Sequence, residues 1–597
     1  METSYGIYDW FEYAYDVEGR VLGERYPDGR ETSYEYETAT GRLAAQRFPA
    51  VGGASVQNFT RNWYDNVVNG QHAERVIQIA HEFTAGTTAF AWASGMVSDA
   101  EGRITQAQLY DQLSFPAART YRTDGRVAST SARYQTGALT MAYAMERTYS
   151  YSADGSAVGW TTGTTNDVAR TLFYDMSNRL LCETSVSGST SCPTTNTSPF
   201  LEAFTYDATD SRLTYRDSTG TTNYTYNGVA MTAEDPPGTW DRRQFYALTS
   251  GGVRTSDRDN AVANTTRTYT YDALQRLRQV TLTRPGTTVG TYQSHLITVH
   301  YDHRARPYYV TVLNQATGVE ERNRYYYGLN DELIEWIRTP NSTVPTTYDE
   351  RQYVPIGDFV VGEMFRSWAG GTATRRTYYH AVEPMGLELA AWEFEHPGGP
   401  AVTYNPQTLV QRWSGFGRRM YISGGGVALP TRFPGQIELR ASDVWIWSGS
   451  NTTQFADPLY LNRWRVYDPR VGQYLQPDPA GLQSWSDGEH VFAYAEVRPQ
   501  DANDPHGLLT DEELEAMAHR APIEPWNPWS PLCEVLPELC TALHREYTDL
   551  QSESCKQRPD ADWSPESCRA SCHSSCMGRP DYNVCFDACY RSCRNPY

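Results

Sequence analysis

The first 350 residues alternate. In Tyr13-Ala14-Tyr15-Asp16 the aromatic positions fall two apart, and Val17-Glu18-Gly19-Arg20 then leads into Val21. Period-two alternation is the signature of a strand, with one aromatic and one polar face. Asp-x-x-Gly-Arg is turn chemistry: Asp accepts backbone N–H bonds and Gly supplies a positive φ. A strand, a turn and a second strand are therefore predicted for each such phrase. The phrase returns as YEYETATGRL (34–43), SDAEGRIT (98–105), YRTDGRV (121–127), FYDMSNRLL (173–181), FTYDATDSRL (204–213), YTYDALQRL (269–277) and VHYDHRARP (299–307). Asp175, Asp207, Asp272 and Asp302 stand about 30 residues apart, or about twice that. One hairpin is marginal in water, so stacked neighbours are expected to supply the missing contacts. Sustained helical periodicity is absent before residue 508.

Composition sharpens this picture. At 597 residues the chain is too long for one ordinary core, which favours several domains or a repeat array. The 43 Tyr and 16 Trp explain how a mean hydropathy of −0.60 coexists with 40% hydrophobic residues. A net charge of −20 argues against nucleic acid as a partner, because phosphate neutralisation needs clustered cations. Lys556 is the one lysine, so the other basic residues are Arg. No window reaches the 18 or so uncharged apolar residues of a membrane-spanning helix. The opening METSYGIYDWFEYAYD is acidic and aromatic, unlike an export signal. Export would then rest on an upstream signal or a dedicated secretion machine. No cofactor is implied. His300 and His303 sit three apart on a strand, hence on opposite faces, which opposes a metal site there.

Of 11 cysteines, Cys182 and Cys192 flank a short polar loop and are candidates for a disulfide. The other nine lie beyond residue 508, at the density of a disulfide scaffold in an oxidising compartment.

The repeated phrases resemble the YD repeats of Rhs proteins, which also occur in Tc-toxin C components and teneurins. Residues 432–508, RFPGQ…LYLNRWRVYDPRVGQYLQPDPAGL…NDPHGL, resemble the Rhs-associated core that closes such arrays. The resemblance implies a mainly β fold, a spiral of hairpins forming a shell that encloses a variable C-terminal segment. It implies a bacterial protein, secreted or at the cell surface. It divides the chain into a YD-repeat shell at 1–350, expected to lack an N-terminal portion, a core at 351–508 and a variable domain at 509–597. The C-terminal segment would be the shell's cargo, and a shell-completing protein or secretion machine its partner.

The resemblance also implies a role for two Asp-Pro-x-Gly-Leu turns, at Asp478 and Asp504. In the family such a pair is an autoprotease, which here would cut between Leu508 and Leu509. Two close carboxyl groups sharing a proton can serve as base and acid, titrating as a pair. The interval between the turns exceeds the family pattern. Pro477 stands where some members carry Arg, leaving Arg470 and Arg498 as nearby substitutes. The alternative is that both turns only seal the shell. His506, inside the second motif, reads as a solvated turn residue.

The tail has a different grammar. Thr510 and Glu513 form a capping box for a helix, and a Pro/Trp linker follows at 521–531. Cys568, Cys572 and Cys576 step by four, as do Cys585, Cys589 and Cys593, so each set draws one stripe along a helix. Gly578 and Pro580 mark a stop and a start between them. Two antiparallel helices would pair Cys568 with Cys593, Cys572 with Cys589 and Cys576 with Cys585. Six cysteines allow fifteen connectivities, and zinc is the rival reading. The fold expected overall is a mainly β hairpin-repeat shell with a small α-helical Cys-rich C-terminal domain. Its function is to enclose and deliver or present that domain, with or without self-cleavage. The competing reading is an exported or surface recognition protein with a structural disulfide-rich module.

Overall fold

The computed structural model describes residues between 11 and 504, apart from 51–58, 65–75, 85–86, 110–114, 138–139, 154, 165–166, 187–188, 195–200, 236–242, 248–251, 260–264, 286–291, 345, 370–371, 395–408, 424–427, 440–457, 479–490, 501 and 503. Residues 1–519 and 520–597 form two separate units. The tail helices, its six stepped cysteines, His506 and the Leu508–Leu509 bond lie outside the described residues.

A 32-stranded antiparallel sheet runs from Glu12–Tyr15 to Arg419–Ser423, and a four-stranded sheet follows between Ile437 and Tyr474. In the long sheet each strand pairs with the next in sequence, from Glu12–Tyr15 on Val21–Arg25 through to Leu409–Trp413 on Arg419–Ser423. The fold is mainly β, as the alternation predicts.

The turn phrase explains why this ribbon forms. Asp16 Oδ1 accepts from the N–H groups of Glu18 and Arg20, each at 2.9 Å, while its Oδ2 accepts from Arg20 Nε at 2.7 Å. Gly19, at φ +80°, closes the turn with its N–H on the Asp16 carbonyl. The same side-chain clamp recurs at Asp99–Arg103, Asp175–Arg179, Asp272–Arg276 and Asp302–Arg306. One carboxylate thus satisfies the turn's loose donors and fixes its Arg.

The second Tyr of the phrase links successive hairpins. This Tyr sits just after a register irregularity, as between Thr205 and Tyr206. Its hydroxyl donates to the carbonyl that follows the clamped Arg of the preceding hairpin: Tyr36 to Val21 at 2.9 Å, Tyr206 to Leu180 at 2.7 Å, Tyr327 to Pro307 at 2.6 Å. The Arg also lies over that ring, Arg20 over Tyr36 at 4.7 Å and Arg179 over Tyr206 at 5.0 Å. Tyr and Asp are therefore parts of one joint between neighbours.

The ribbon also returns upon itself. The strands Leu333–Thr339, Tyr348–Ile356 and Glu388–Phe394 come alongside Leu43–Ala50, Thr87–Ser98 and Thr140–Tyr151. Tyr379 donates to the Trp92 carbonyl at 3.0 Å, Tyr326 to Asp28 at 2.6 Å, and Arg147 pairs with Glu383 at 2.7 Å. The four-stranded sheet then meets earlier strands: Arg254 reaches Asp468 at 3.0 Å, and Gln476 donates to the Gln275 carbonyl at 3.2 Å.

Candidate functional site

The stretch 458–504 builds a buried polar centre. Tyr460–Asn462 and Arg465–Asp468 form a hairpin, on which Gln473–Tyr474 lies. Residues 491–494 come back along this edge: the N–H of Tyr474 donates to the Phe492 carbonyl and that of Asp478 to the Val491 carbonyl. A tight turn at Ala495–Val497 follows, where Ala495 and Val497 both adopt positive φ. For a buried β-branched Val this conformation is strained. The turn redirects the chain so that Asp504 meets Asp478.

The two carboxylates converge on one nitrogen. Arg465 Nη2 lies 2.8 Å from Asp478 Oδ2 and 2.6 Å from Asp504 Oδ2. Tyr474 donates its hydroxyl to the same Asp504 oxygen at 2.8 Å, and the Arg465 guanidinium sits 3.7 Å from the Tyr474 ring centre. Asn462 Nδ2 donates to the Asp504 backbone carbonyl at 2.8 Å and to Tyr474 Oη at 2.6 Å. Asp478, Asp504, Arg465, Tyr474 and Asn462 are all buried. Burial alone would lower the Arg465 pKa; the charges of Asp478, Tyr474 and Asp504 outweigh it and raise it. Burial, then the charge of Asp504, push the Tyr474 phenol well above its ordinary value, so it stays a donor. Around this lies an aromatic wall of Phe433, Tyr467 and Tyr494, with Tyr467 and Tyr494 centred 4.8 Å apart.

The structure therefore brings both aspartates together. It corrects the choice of arginine: Arg470 pairs with Asp468 at 3.2 Å and contacts Glu234, while Arg465 holds the two aspartates. Sequence reasoning missed Arg465 because its partner Asp504 is 39 positions away. The signal present was strand alternation: Arg465 and Tyr467 fall two apart on a strand whose residues are all buried.

A second buried carboxyl pair lies elsewhere. Glu183 and Glu202 are cross-strand partners, both buried. Burial, then the charge of Glu183, hold Glu202 well above the carboxylate range. Arg170 and the Gly415 N–H complete the site on Glu183, at 2.8 and 2.6 Å. Next door, the Sγ atoms of Cys182 and Cys192 lie 2.10 Å apart and their Cα atoms 6.1 Å apart. A third buried cluster centres on His380, with Nδ1 2.6 Å from Glu388 and Nε2 2.8 Å from Glu363. Burial would lower its pKa, but the charge of Glu388 and the bonds to both carboxylates raise it to about 9. His300 rests against Tyr309, and His303 against Tyr13. Among the described residues no group of His, Cys, Asp and Glu is arranged to hold a metal, and no helix is long and apolar enough to cross a membrane.

Residues 15–50 match the RHS repeat family model. These residues span the first clamped turn and its Tyr36 joint, so this part of the chain carries an RHS repeat. Solved structures similar to it include a TcdB2-TccC3-TEV crystal structure, at 15% identity over 83% of this chain with a TM-score of 0.36. Another is the Photorhabdus luminescens Tc holotoxin pore, at 14% identity over 84% of this chain with a TM-score of 0.36. The chain spans 27% of the length of each of those chains.

Proposed function

We propose that this chain is an Rhs-type shell whose Asp478–Asp504 centre cuts the chain once, after Leu508, to free a C-terminal cargo, residues 509–597. The observation that carries the reading is the convergence of both aspartates on Arg465 in a buried site. Peptide hydrolysis asks one carboxylate to take a proton from water as its oxygen attacks the Leu508 carbonyl carbon. It asks the other, as an acid, to protonate the Leu509 nitrogen as the C–N bond breaks. One guanidinium faces two carboxylates, so a single shared proton would make the centre electroneutral and supply that acid. Arg465, Tyr474 and Asn462 position the two groups.

The freed segment would be a helical domain with the nested ladder Cys568–Cys593, Cys572–Cys589 and Cys576–Cys585. Such a ladder, with a Cys182–Cys192 disulfide in the shell, suits a secreted or surface protein. A second protein that completes the shell would be its partner.

A second reading also has an observation behind it. The same Arg465 bridge can be a clip that fastens 491–504 onto the small sheet, sealing the shell with no cleavage and leaving the tail as a covalent recognition module. Sequencing the N-terminus of any small fragment in purified protein separates the two. A fragment beginning at Leu509 supports cleavage; an intact chain supports the clip.

A further inference from the structure

One turn of the array inverts the usual chemistry. Tyr327-Gly328-Leu329-Asn330-Asp331-Glu332 closes like the other turns. The Gly328 N–H donates to the Glu332 carbonyl at 2.9 Å and the Asp331 N–H to the Gly328 carbonyl at 3.2 Å. Asp331 takes φ +62° where Gly19 takes +80°. Yet Gly328 stands in the place of the clamping Asp, and Glu332 in the place of the clamped Arg. The joint to the next hairpin is missing as well. The following strand, Tyr348–Ile356, ends on Pro355 and Ile356, so it offers no Tyr at the place from which Tyr327 reaches the Pro307 carbonyl. The carbonyl that such a Tyr would bond is that of Leu333, and no side chain among the described residues donates to it.

A cavity of about 280 Å³ opens at this vacancy, where the loop from Leu429 to Ile437 crosses the turns at 327–333 and 355–358. Its walls are largely apolar, from Tyr327, Leu333, Tyr353 and Val361. Phe433 lines it too and belongs as well to the aromatic wall beside Asp478 and Asp504. Most of its charged groups are spent on cations or carboxylates around them. Asp331 receives Arg306 at 2.8 Å, Arg463 at 2.9 Å and Arg304 at 3.1 Å, Arg432 contacts Glu438, and Asp358 lies 3.7 Å from Arg119. Glu332 is the exception. Its Oε2 accepts the Asn330 N–H at 2.9 Å, and it has no ion-pair partner among the described residues. Its side chain is half-buried rather than sealed, and it lines the cavity. Burial raises its pKa above the ordinary carboxylate value. A charge taken partly out of water is costly until a cation meets it.

We infer that this cavity binds a small guanidinium compound, whose N–H groups donate to the Glu332 carboxylate and the Leu333 carbonyl where other joints hold an Arg of their own. A guanidinium carries donors on several sides of one plane, so it can serve a carboxylate and a carbonyl together. Its weakly hydrated faces suit aromatic and apolar walls better than an ammonium does. A neutral ligand would leave Glu332 unpaired, and an anion would oppose it. The cavity has room for a short alkyl chain behind the head group. The inference does not depend on cleavage, since Asp478, Asp504 and Arg465 do not line the cavity.

The test uses the full chain with n-butylguanidinium, followed by ligand-observed NMR. Saturable binding with a Kd of about 0.1–1 mM is expected. n-Butylurea, which has nearly the same shape but no charge, should bind at least about tenfold more weakly. N-acetyl-arginine methylamide, which presents the same head group on a peptide unit, should bind no better than n-butylguanidinium. Glu332→Gln keeps the size of the side chain and removes its charge; it should lose about tenfold in affinity, with circular dichroism matching the wild type. Glu332→Arg restores the residue type of the other joints and should abolish binding, because its own guanidinium takes the vacant place. The comparison of guanidinium with urea in the wild type decides the matter even if a variant fails to fold. No saturable binding, equal affinity for guanidinium and urea, or undiminished affinity in either folded variant would each overturn the inference. Tighter binding of the capped arginine would overturn the small-molecule assignment.

Discussion

The hairpin array and the closing sheet are made from similar residues under different rules. In the array, Asp16 and Arg20 solve a local problem four positions apart, and the clamp recurs from Asp16 to Asp302. In the closing stretch, Arg465 finds Asp504 39 positions away, and Gln476 reaches Gln275 201 positions away. Errors in the array should stay local, while errors in the closing sheet should spread. Repetition lets one joint fail while its neighbours hold; the closing sheet has no duplicate.

The sharpest way to break this contrast is to remove Arg465. Arg465→Leu leaves two buried carboxylates without their shared cation and should cost about 3–5 kcal/mol. Urea unfolding followed by tryptophan fluorescence would register it. A loss no larger than for an exposed turn would erase the distinction.

The His380 cluster should give the next largest effect. Its pKa rises from an ordinary 6.5 to about 9 in the fold. A raised folded value means the stabilisation is complete below about pH 6.5 and disappears as pH climbs through 9. The full difference is on the order of 3 kcal/mol. Urea midpoints measured from pH 6 to 10 should fall across that window in the wild type and stay flatter in His380→Gln.

Within the array the clamps themselves can be graded. Asp302 and Arg306 are buried and tied to Glu24 at 3.2 Å on a distant strand, whereas Asp16 and Arg20 are partly open to solvent. Asp302→Ala should cost about 2 kcal/mol, and Asp16→Ala clearly less, both read from thermal melts. Equal costs would mean that the return of the ribbon adds nothing to a YD turn. The smallest change expected is at Gln275, which takes φ +60° where other units place Gly. Gln275→Gly should shift stability by under about 1 kcal/mol, since relief of strain is offset by a freer unfolded chain.

This contrast also explains what could be read from sequence. The hairpins were legible because each clamp is written within five residues, and variants such as Glu37–Arg42 keep its logic. Asp478 and Asp504 could be nominated from their Asp-Pro-x-Gly-Leu turns and the family resemblance. Arg465 could not, because proximity in sequence favours Arg470, and only the register of two hairpins puts Arg465 on the aspartates. Glu183 and Glu202 were invisible for the same reason: their pairing depends on which strands become neighbours across a long loop.

The most direct test of the account is the intact mass, under denaturing conditions, of the purified wild type beside Asp478→Asn and Asp504→Asn. Circular dichroism would confirm that all three share one fold. The account predicts two species in the wild type, ending at Leu508 and beginning at Leu509, and one full-length chain in each variant. A single full-length species in all three, with the fold intact, would contradict cleavage and leave the Arg465 bridge as a structural clip.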